Sequence, residues 1–267
     1  MMDRKATRAP LSERSRGQIG RLVSMFHAPG RTMAGLRASP TIAAVLIASA
    51  LAGGIKVTAV SRAADLETAA RHAWDEQSRL MPGTISRNLS DADRERALDG
   101  VRSGIRMTRN FAPVLGALGG VLAPVAASAF FLLVFGVLGA PARYRVMLST
   151  VAHAWWPAAA VSSVLTAAVV AVSFPMAPER MEEPLRTSLA ALAPEASLAM
   201  AALASRLDLF LGWELALVTL GFTLTLGVSR RRSLTVALLL WVLVTAVTVG
   251  FAMVARFMTM AVGAPPA

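Results

Sequence analysis

The sequence predicts an all-α polytopic membrane protein with five transmembrane helices, on the strength of three observations. Of its 267 residues, 55% are hydrophobic and only 16% are charged, whereas a soluble domain carries about 25% charged residues. The mean hydropathy is +0.56. Five apolar segments each have about the 20 residues that a helix needs to cross roughly 30 Å of hydrocarbon. A chain with this surplus of apolar side chains is expected to be solvated mostly by lipid.

The five predicted spans cover residues 41–60, 114–138, 147–174, 207–228 and 233–257. Ser39 and Pro40 precede the first span as an N-cap followed by proline at the first helical position. Pro124 predicts a kink in the second span, and Pro157 lies near the start of the third. Proline is tolerable inside a span because neighbouring helices or waters can satisfy the carbonyl that it leaves unpaired.

The charges outside the spans predict the orientation. Segments 1–40, 139–146 and 229–232 carry thirteen Lys or Arg against two acids, whereas segments 61–112 and 174–206 carry twelve Arg against twelve acids. The positive-inside rule makes the basic face cytoplasmic. We therefore expect a cytoplasmic N-terminus and a C-terminus on the opposite side.

The net charge of +11 then follows from orientation and from contact with anionic lipid headgroups, so nucleic acid is not an expected partner. The basic residues expected to face these lipids lie in the two cytoplasmic turns: Arg143, Arg145, Arg230, Arg231 and Arg232. The composition, rich in Arg and Ala, favours a bacterial source and therefore the inner membrane. The "ASA" at residues 48–50 resembles a signal-cleavage site, but about forty residues precede it, so a retained anchor is expected.

Three parts are predicted: a basic cytoplasmic segment 1–40, a five-span domain 41–257, and a short extracytoplasmic tail 258–267. In the first part, apolar residues form two short stripes at helical spacing: Leu22, Val23, Met25 and Phe26, then Met33 and Leu36. Short basic amphipathic helices of this kind lie in the headgroup plane. A cytoplasmic helix packed on the bundle is an equally good interpretation.

The polar segment 61–112 predicts two ordered helices outside the membrane. The face of the first is marked by Leu66, Ala70, Ala73, Trp74, Gln77 and Leu80, and Pro82 with Gly83 ends it. Ser90 is the predicted N-cap of the second, with acids in its first turn.

Two motifs in this segment are weak. The acids of "DADRE" (Asp91, Asp93 and Glu95) have calcium-loop spacing, but Arg96 stands where the loop needs glycine, and we expect no calcium site. "NLS" at residues 88–90 matters as a glycosylation acceptor only in a secretory compartment.

Segment 175–206 predicts two short helices, broken at Pro184 and Pro194, that pack onto the membrane surface.

No feature of the sequence predicts an enzyme, a cofactor or a metal site. The chain has no cysteine, and its three histidines (His27, His72 and His153) are far apart and outside any HExxH pattern. Thiolate ligands and a cysteine nucleophile are therefore excluded, and a zinc enzyme is not expected. The GxSxG motif of serine hydrolases is also absent.

Four charged residues fall inside the predicted spans: Lys56, Asp208, Glu214 and Arg256. With a helical rise of about 1.5 Å per residue, Glu214 matches Lys56 in depth, and Asp208 matches Arg256. Two structural ion pairs are therefore predicted, because an unpaired buried charge is strongly unfavourable. In the competing interpretation Asp208 caps the fourth span and Arg256 extends to the interface.

Several stretches resemble the Yip1 domain family. "LVSMFHAPGRTMAGLRASP" resembles the segment that precedes the first span in that family, and "RVMLSTVAHAWWP" the approach to its middle span. The closest likeness lies in the last 70 residues, around "LDLFLGWELALV". Membership would imply five spans, a cytoplasmic N-terminus and no catalysis. Eukaryotic members are associated with membrane trafficking, and some bacterial ones are encoded with ABC-type exporters.

Two functions are consistent with these features. The first is a non-enzymatic accessory or scaffolding protein that packs against itself or another integral membrane protein. Small residues that favour close approach of helices occur in three pairs: Gly116 with Gly120, Gly136 with Gly139, and Gly212 with Gly221. The alternative is that these pairs only pack the helices of the bundle against one another. The second is a small-solute or ion transporter that uses the intramembrane charges, although the chain lacks the internal repeat typical of secondary transporters.

Overall fold

The computed structural model of the chain describes residues 17–80, 90–176, 185, 187–189, 200, 203–205 and 207–262. Several predicted features lie outside these residues: the stop at Pro82 and Gly83, the acceptor Asn88, the breaks at Pro184 and Pro194, and the end of the tail. Within them there is no strand; one isolated bridge joins Ser188 and Asp208.

Eight helices can be followed in the described residues. They are α1 (Gln18–His27), α2 (Pro29–Ala38), α3 (Ala43–Ser61), α4 (Leu66–Leu80), α5 (Asp91–Val137), α6 (Tyr144–Ser173), α7 (Leu209–Leu226) and α8 (Arg230–Val262). Five of these (α3, α5, α6, α7 and α8) are long and apolar enough to cross a membrane. The predicted class, an all-α polytopic membrane protein, is confirmed.

The second span differs from its prediction, because it is part of one helix that begins at Asp91. At 1.5 Å per residue, the 47 residues of α5 extend for about 70 Å. Its charged first half therefore projects beyond the apolar second half. Ser90 is the predicted cap, since its Oγ accepts a hydrogen bond from the Asp93 amide at 3.2 Å.

Both Pro113 and Pro124 lie inside α5. The helix continues although each proline lacks the amide hydrogen that the helix would otherwise use. The Pro124 carbonyl also accepts a hydrogen bond of 2.5 Å from the Ser128 hydroxyl.

The core of the bundle lies between α5, α6 and α7. Phe222 of α7 meets Phe131 and Phe135 of α5 edge to face, with ring centroids 4.8 and 5.0 Å apart. All three rings are fully buried, and such pairs contribute about 0.5–1.5 kcal/mol each beyond the area they bury. These rings fix α7 against α5.

Helices α1 and α2 pack onto the bundle, as the second of the two interpretations predicted. Met25, Met33 and Leu36 belong to the main buried cluster, and a buried hydrogen bond of 2.7 Å joins Ser24 Oγ to Thr32 Oγ1. The predicted stripe is divided, since Leu22 and Met25 are buried whereas Val23 and Phe26 are exposed. Only one side of α1 therefore faces the protein.

Candidate functional site

Helices α3 and α5 approach each other closely enough for their backbones to touch. A Cβ added at Gly116 would lie 2.7 Å from the carbonyl carbon of Gly53, and one at Gly120 would lie 2.7 Å from the carbonyl carbon of Ser49. Real Cβ atoms are not found so close to backbone, so this seam requires glycine. The predicted Gly116 and Gly120 pair therefore packs the bundle internally.

The other predicted glycine pairs have different positions. Gly221 is also internal, since a Cβ there would lie 2.6 Å from Thr150 Cγ2. Gly136, Gly139 and Gly212 have open space where a side chain would stand. Gly139 instead has a φ of +72°, the left-handed conformation that glycine adopts most readily, at the turn from α5 to α6.

Helix α4 lies along the charged half of α5 and forms a layer at one end of the bundle, here called the α4 end. Its predicted apolar face is confirmed at Ala70 and Trp74, which are buried, whereas Gln77 is exposed. The structure therefore shows ordered helix in both parts of the segment where the sequence predicted it.

Arg102 of α5 joins this layer together through three carboxylates. Its Nη1 donates to Glu95 and Asp99 at 2.7 Å each, and its Nε and Nη2 donate to Glu67 of α4 at 3.0 and 3.1 Å. Glu67 also accepts from Arg71 at 2.8 Å. The Arg102 side chain is only 19% exposed, so this bidentate pair with Glu67 fixes α4 on α5 with defined geometry.

Arg109, two helical turns further along α5, holds the turn between α3 and α4. Its Nε donates to the Ser61 carbonyl at 2.9 Å, and its Nη2 donates to the Ala64 carbonyl at 2.8 Å. Ser61 is the last residue of α3 and Ala64 lies in the turn that follows, so neither carbonyl pairs with an amide of a continuing helix. A charged donor from α5 therefore completes the end of the first span.

Glu67 makes the docking of α4 dependent on pH. The hydrogen bonds from Arg102, followed by those from Arg71, lower the pKa of Glu67 from 4.5 to about 2. Because the folded pKa lies below the ordinary one, this contribution to stability is complete above pH 4.5 and is lost as the pH falls toward 2.

We expect amide hydrogen exchange in α4, corrected for the intrinsic rate, to be constant above pH 5 and to accelerate between pH 4.5 and 2. The physical reason is protonation of Glu67, which removes its charge-assisted bonds to Arg102. In Glu67→Gln this acid-dependent part should disappear and exchange should be faster at neutral pH. Equal acid profiles of parent and variant would contradict the assignment.

Two arginines beside this layer have no such partners. Arg62 and Arg106 are exposed, and neither forms an ion pair within 4.0 Å among the described residues. With Arg109, Asn110 and Phe174 they border an open groove of about 470 Å³.

Asp65 also lines this groove, and both of its carboxylate oxygens accept hydrogen bonds from Thr68. Its Oδ1 accepts from the Thr68 amide at 2.8 Å, and its Oδ2 accepts from the Thr68 hydroxyl at 2.6 Å. The hydroxyl bond is the main reason why the pKa of Asp65 is lowered. Three arginines (Arg62, Arg106 and Arg109) line the groove against this one carboxylate, so the groove keeps a local excess of positive charge.

The predicted ion pair of Glu214 with Lys56 is not formed in the structure. No nitrogen–oxygen distance of 4.0 Å or less joins them among the described residues, although Lys56 is near enough to act electrostatically on Glu214. The reason is that α3 packs mainly against α5 and α6, and its Lys56 is exposed. Equal depth did not make these helices neighbours.

Asp208 follows the competing interpretation. Its Oδ1 accepts from the Leu211 amide at 2.6 Å and caps the first turn of α7. The side chain of Arg256 lies outside the part that the structure describes, so its pairing with Asp208 stays a prediction.

A group of buried polar side chains on α6 was not predicted. Ser149, Thr150 and His153 are almost completely buried, and His153 Nδ1 lies 2.8 Å from the Ser149 carbonyl. Thr150 donates to the Val146 carbonyl at 2.8 Å and lies 3.3 Å from Thr225 Oγ1. Bonds to the carbonyl four residues earlier satisfy Thr150 and His153 within the helix, whereas the Ser149 hydroxyl donates to the Thr41 carbonyl at 2.8 Å. Among the described residues no cluster suited to a metal ion occurs.

The five arginines predicted to face lipid lie together at the other end, here called the basic end. Arg143 and Arg145 are exposed where α6 begins, and Arg230, Arg231 and Arg232 are exposed at the start of α8. Arg232 also borders a groove of about 390 Å³ between the α5–α6 and α7–α8 turns. The two basic turns predicted from sequence therefore share one surface.

The fold and these surfaces define a five-span helical membrane protein with an α4 layer at one end and arginines at the other. Comparison with models of protein families, with curated proteins and with solved structures gave no match. The resemblance to the Yip1 domain family therefore stays an expectation.

Proposed function

We propose that the protein is a non-enzymatic accessory or scaffolding subunit of a membrane complex, of the kind that some ABC-type exporters carry. One observation supports this best: α8 packs against α7 and only slightly against α5. Much of its surface is exposed, including Leu239, Val247 and Phe251. A fifth span attached on one side leaves a long apolar face for another integral membrane protein or a second copy of the chain.

A photo-reactive residue on α8 tests this proposal in native membranes. A photo-reactive residue that replaces Val247 is expected to form a discrete protein adduct, and this adduct should copurify with the chain in mild detergent. Val172 on α6 is a matched control, since it is also highly exposed and apolar. Adducts of the same size and yield from both positions, or none from Val247, would contradict a docking role for α8. The mass of the adduct separates a second copy from another subunit.

A small-solute or ion transporter is the second candidate, favoured by one observation. Glu214 lies within α7 without an ion-pair partner among the described residues, and Lys56 acts on it only from a distance. Intramembrane ionisable groups are functional candidates by default. Uptake by the protein alone in liposomes, lost in Glu214→Gln and kept in Thr223→Val, would favour transport over the accessory role.

We further propose that the basic end is cytoplasmic and that the membrane is a bacterial inner membrane. The thirteen-to-two excess of Lys and Arg over acids in the segments that the sequence predicts to be cytoplasmic supports this orientation. Since five spans place the termini on opposite sides, a reporter fused after Ala267 should behave as extracytoplasmic. A reporter that is active in the cytoplasm would reverse the orientation.

A further inference from the structure

The excess positive charge at the α4 end is located at the end of a span. Helix α3 has 19 residues and stops at Ser61, so it covers about 28 Å, close to the thickness of the hydrocarbon layer. Arg62 follows it directly, and Arg109 reaches the same level from α5 by donating to the Ser61 carbonyl. The groove that these residues border therefore lies at the depth of lipid headgroups.

An apolar groove of about 600 Å³ runs along the same two helices inside the membrane. Its walls include Ile47, Leu51, Ile55 and Thr58 of α3 with Pro113 and Ala117 of α5. The groove exists because the glycine seam brings the two backbones together and leaves no large side chain to fill the cleft between them. From Ile47 to Thr58 it extends for about 16 Å, about half the hydrocarbon thickness.

The two grooves lie on one face of each helix. Arg62 follows Ile55 by seven residues, which is almost two full turns, and Arg106 precedes Pro113 by the same interval. Asn110 likewise precedes Ala117 by seven residues. The charged groove is therefore the continuation of the apolar groove beyond the membrane boundary.

We propose that this seam binds one anionic phospholipid of the leaflet on the α4 side. One acyl chain lies in the α3–α5 groove, and the phosphate lies between Arg62 and Arg106, where Asn110 supplies an amide donor. Charge complementarity favours this occupant over a protein segment: two guanidinium groups without carboxylate partners lie at headgroup depth above an open cleft of acyl-chain length. Guanidinium groups bind phosphate oxygens in a bidentate manner.

The occupied neighbours explain why the site is confined to these two arginines. Arg102 is neutralised by three carboxylates, and Arg109 is bound to backbone carbonyls. The N–H donors of Arg102 and Arg109 are therefore less available to a phosphate than those of Arg62 and Arg106. The headgroup therefore has one place at which positive charge is uncompensated beside the groove.

Titration of the purified full chain in mild detergent with palmitoyl-oleoyl phosphatidylglycerol tests the proposal, with bound lipid counted by native mass spectrometry. We expect one lipid to bind in preference to further copies, and binding at least five-fold weaker in Arg62→Gln/Arg106→Gln. The matched control Arg94→Gln/Arg96→Gln removes the same charge from α5 about 15–18 Å from Arg106, toward the N-terminus of the helix. This variant should bind lipid like the parent. Ala117→Leu, which narrows the groove without changing charge, should also weaken binding.

Three results would overturn this assignment. Equal lipid binding by the Arg62/Arg106 double variant and the parent would exclude the phosphate position. Equal losses in both double variants would reduce the effect to overall charge. Inorganic phosphate that raises the melting temperature as much as the lipid does would show a simple anion site without an acyl chain. Matching melting temperatures of the lipid-free parent and variants confirm that folding is unchanged.

Discussion

Replacing Gly116 by alanine is expected to destabilise the bundle by about 1–3 kcal/mol, the range for overpacking a tight interior. The new methyl group would meet the Gly53 carbonyl and lie 2.9 Å from Gly54 Cα. Both obstacles are backbone, so no side chain can rotate away, and α3 must separate from α5. Reversible unfolding in mixed micelles, followed by circular dichroism, measures the change.

Gly119 provides the control on the same helix, because a Cβ there meets nothing within 4 Å. Gly119→Ala should leave stability unchanged or raise it slightly, since alanine favours helix by about 1 kcal/mol relative to glycine. If both variants unfolded at the same denaturant concentration, the close approach of α3 and α5 would be refuted.

Arg109→Met is expected to destabilise the junction of α3, α4 and α5 by about 1.5–3 kcal/mol, the range for hydrogen bonds that involve a charged group. Methionine keeps much of the aliphatic chain but leaves the Ser61 and Ala64 carbonyls without their donor. Amide exchange should accelerate in α4 and in the last turn of α3, with little change in α6 and α7.

Arg94→Met is the matched variant for this experiment, because Arg94 is exposed on α5 and makes no ion pair among the described residues. It should leave exchange in α3 and α4 as in the parent. Acceleration confined to α5 in Arg109→Met would show that Arg109 stabilises only its own helix.

The spans could be predicted because hydrocarbon thickness fixes their length, and local composition is enough to find such segments. The same holds for the Ser90 cap, whose partner Asp93 lies three residues away. The continuity of α5 was missed because Pro113 stands between its polar and apolar halves. Proline at that place is typical of a boundary, yet packing against α3 and α4 maintains the helix across it.

The partners of the charged residues could not be predicted, because they depend on which helices are adjacent. Arg102 binds Glu67 across 35 positions of the sequence, and no local pattern encodes that distance. Equal depth in the membrane led to a predicted pair of Glu214 with Lys56, but their helices, α7 and α3, are not main packing neighbours. Asp208 was recoverable, since a carboxylate just before an apolar helix is a common N-cap. The arginines at residues 230–232 could likewise be assigned to the turn before the fifth span, because their position follows from local composition alone.

The position of the α1–α2 pair has a consequence for biosynthesis. Met33 of α2 lies against Gly221 of α7, with its Sδ 3.3 Å from where a Cβ would stand, so the two contact sites are 188 residues apart in the chain. At a synthesis rate of about 5–20 residues per second, α7 emerges roughly 10–40 seconds after α2. During that interval Met33 lacks its contact with α7, and lipid or a chaperone must shield this side until the fourth span arrives.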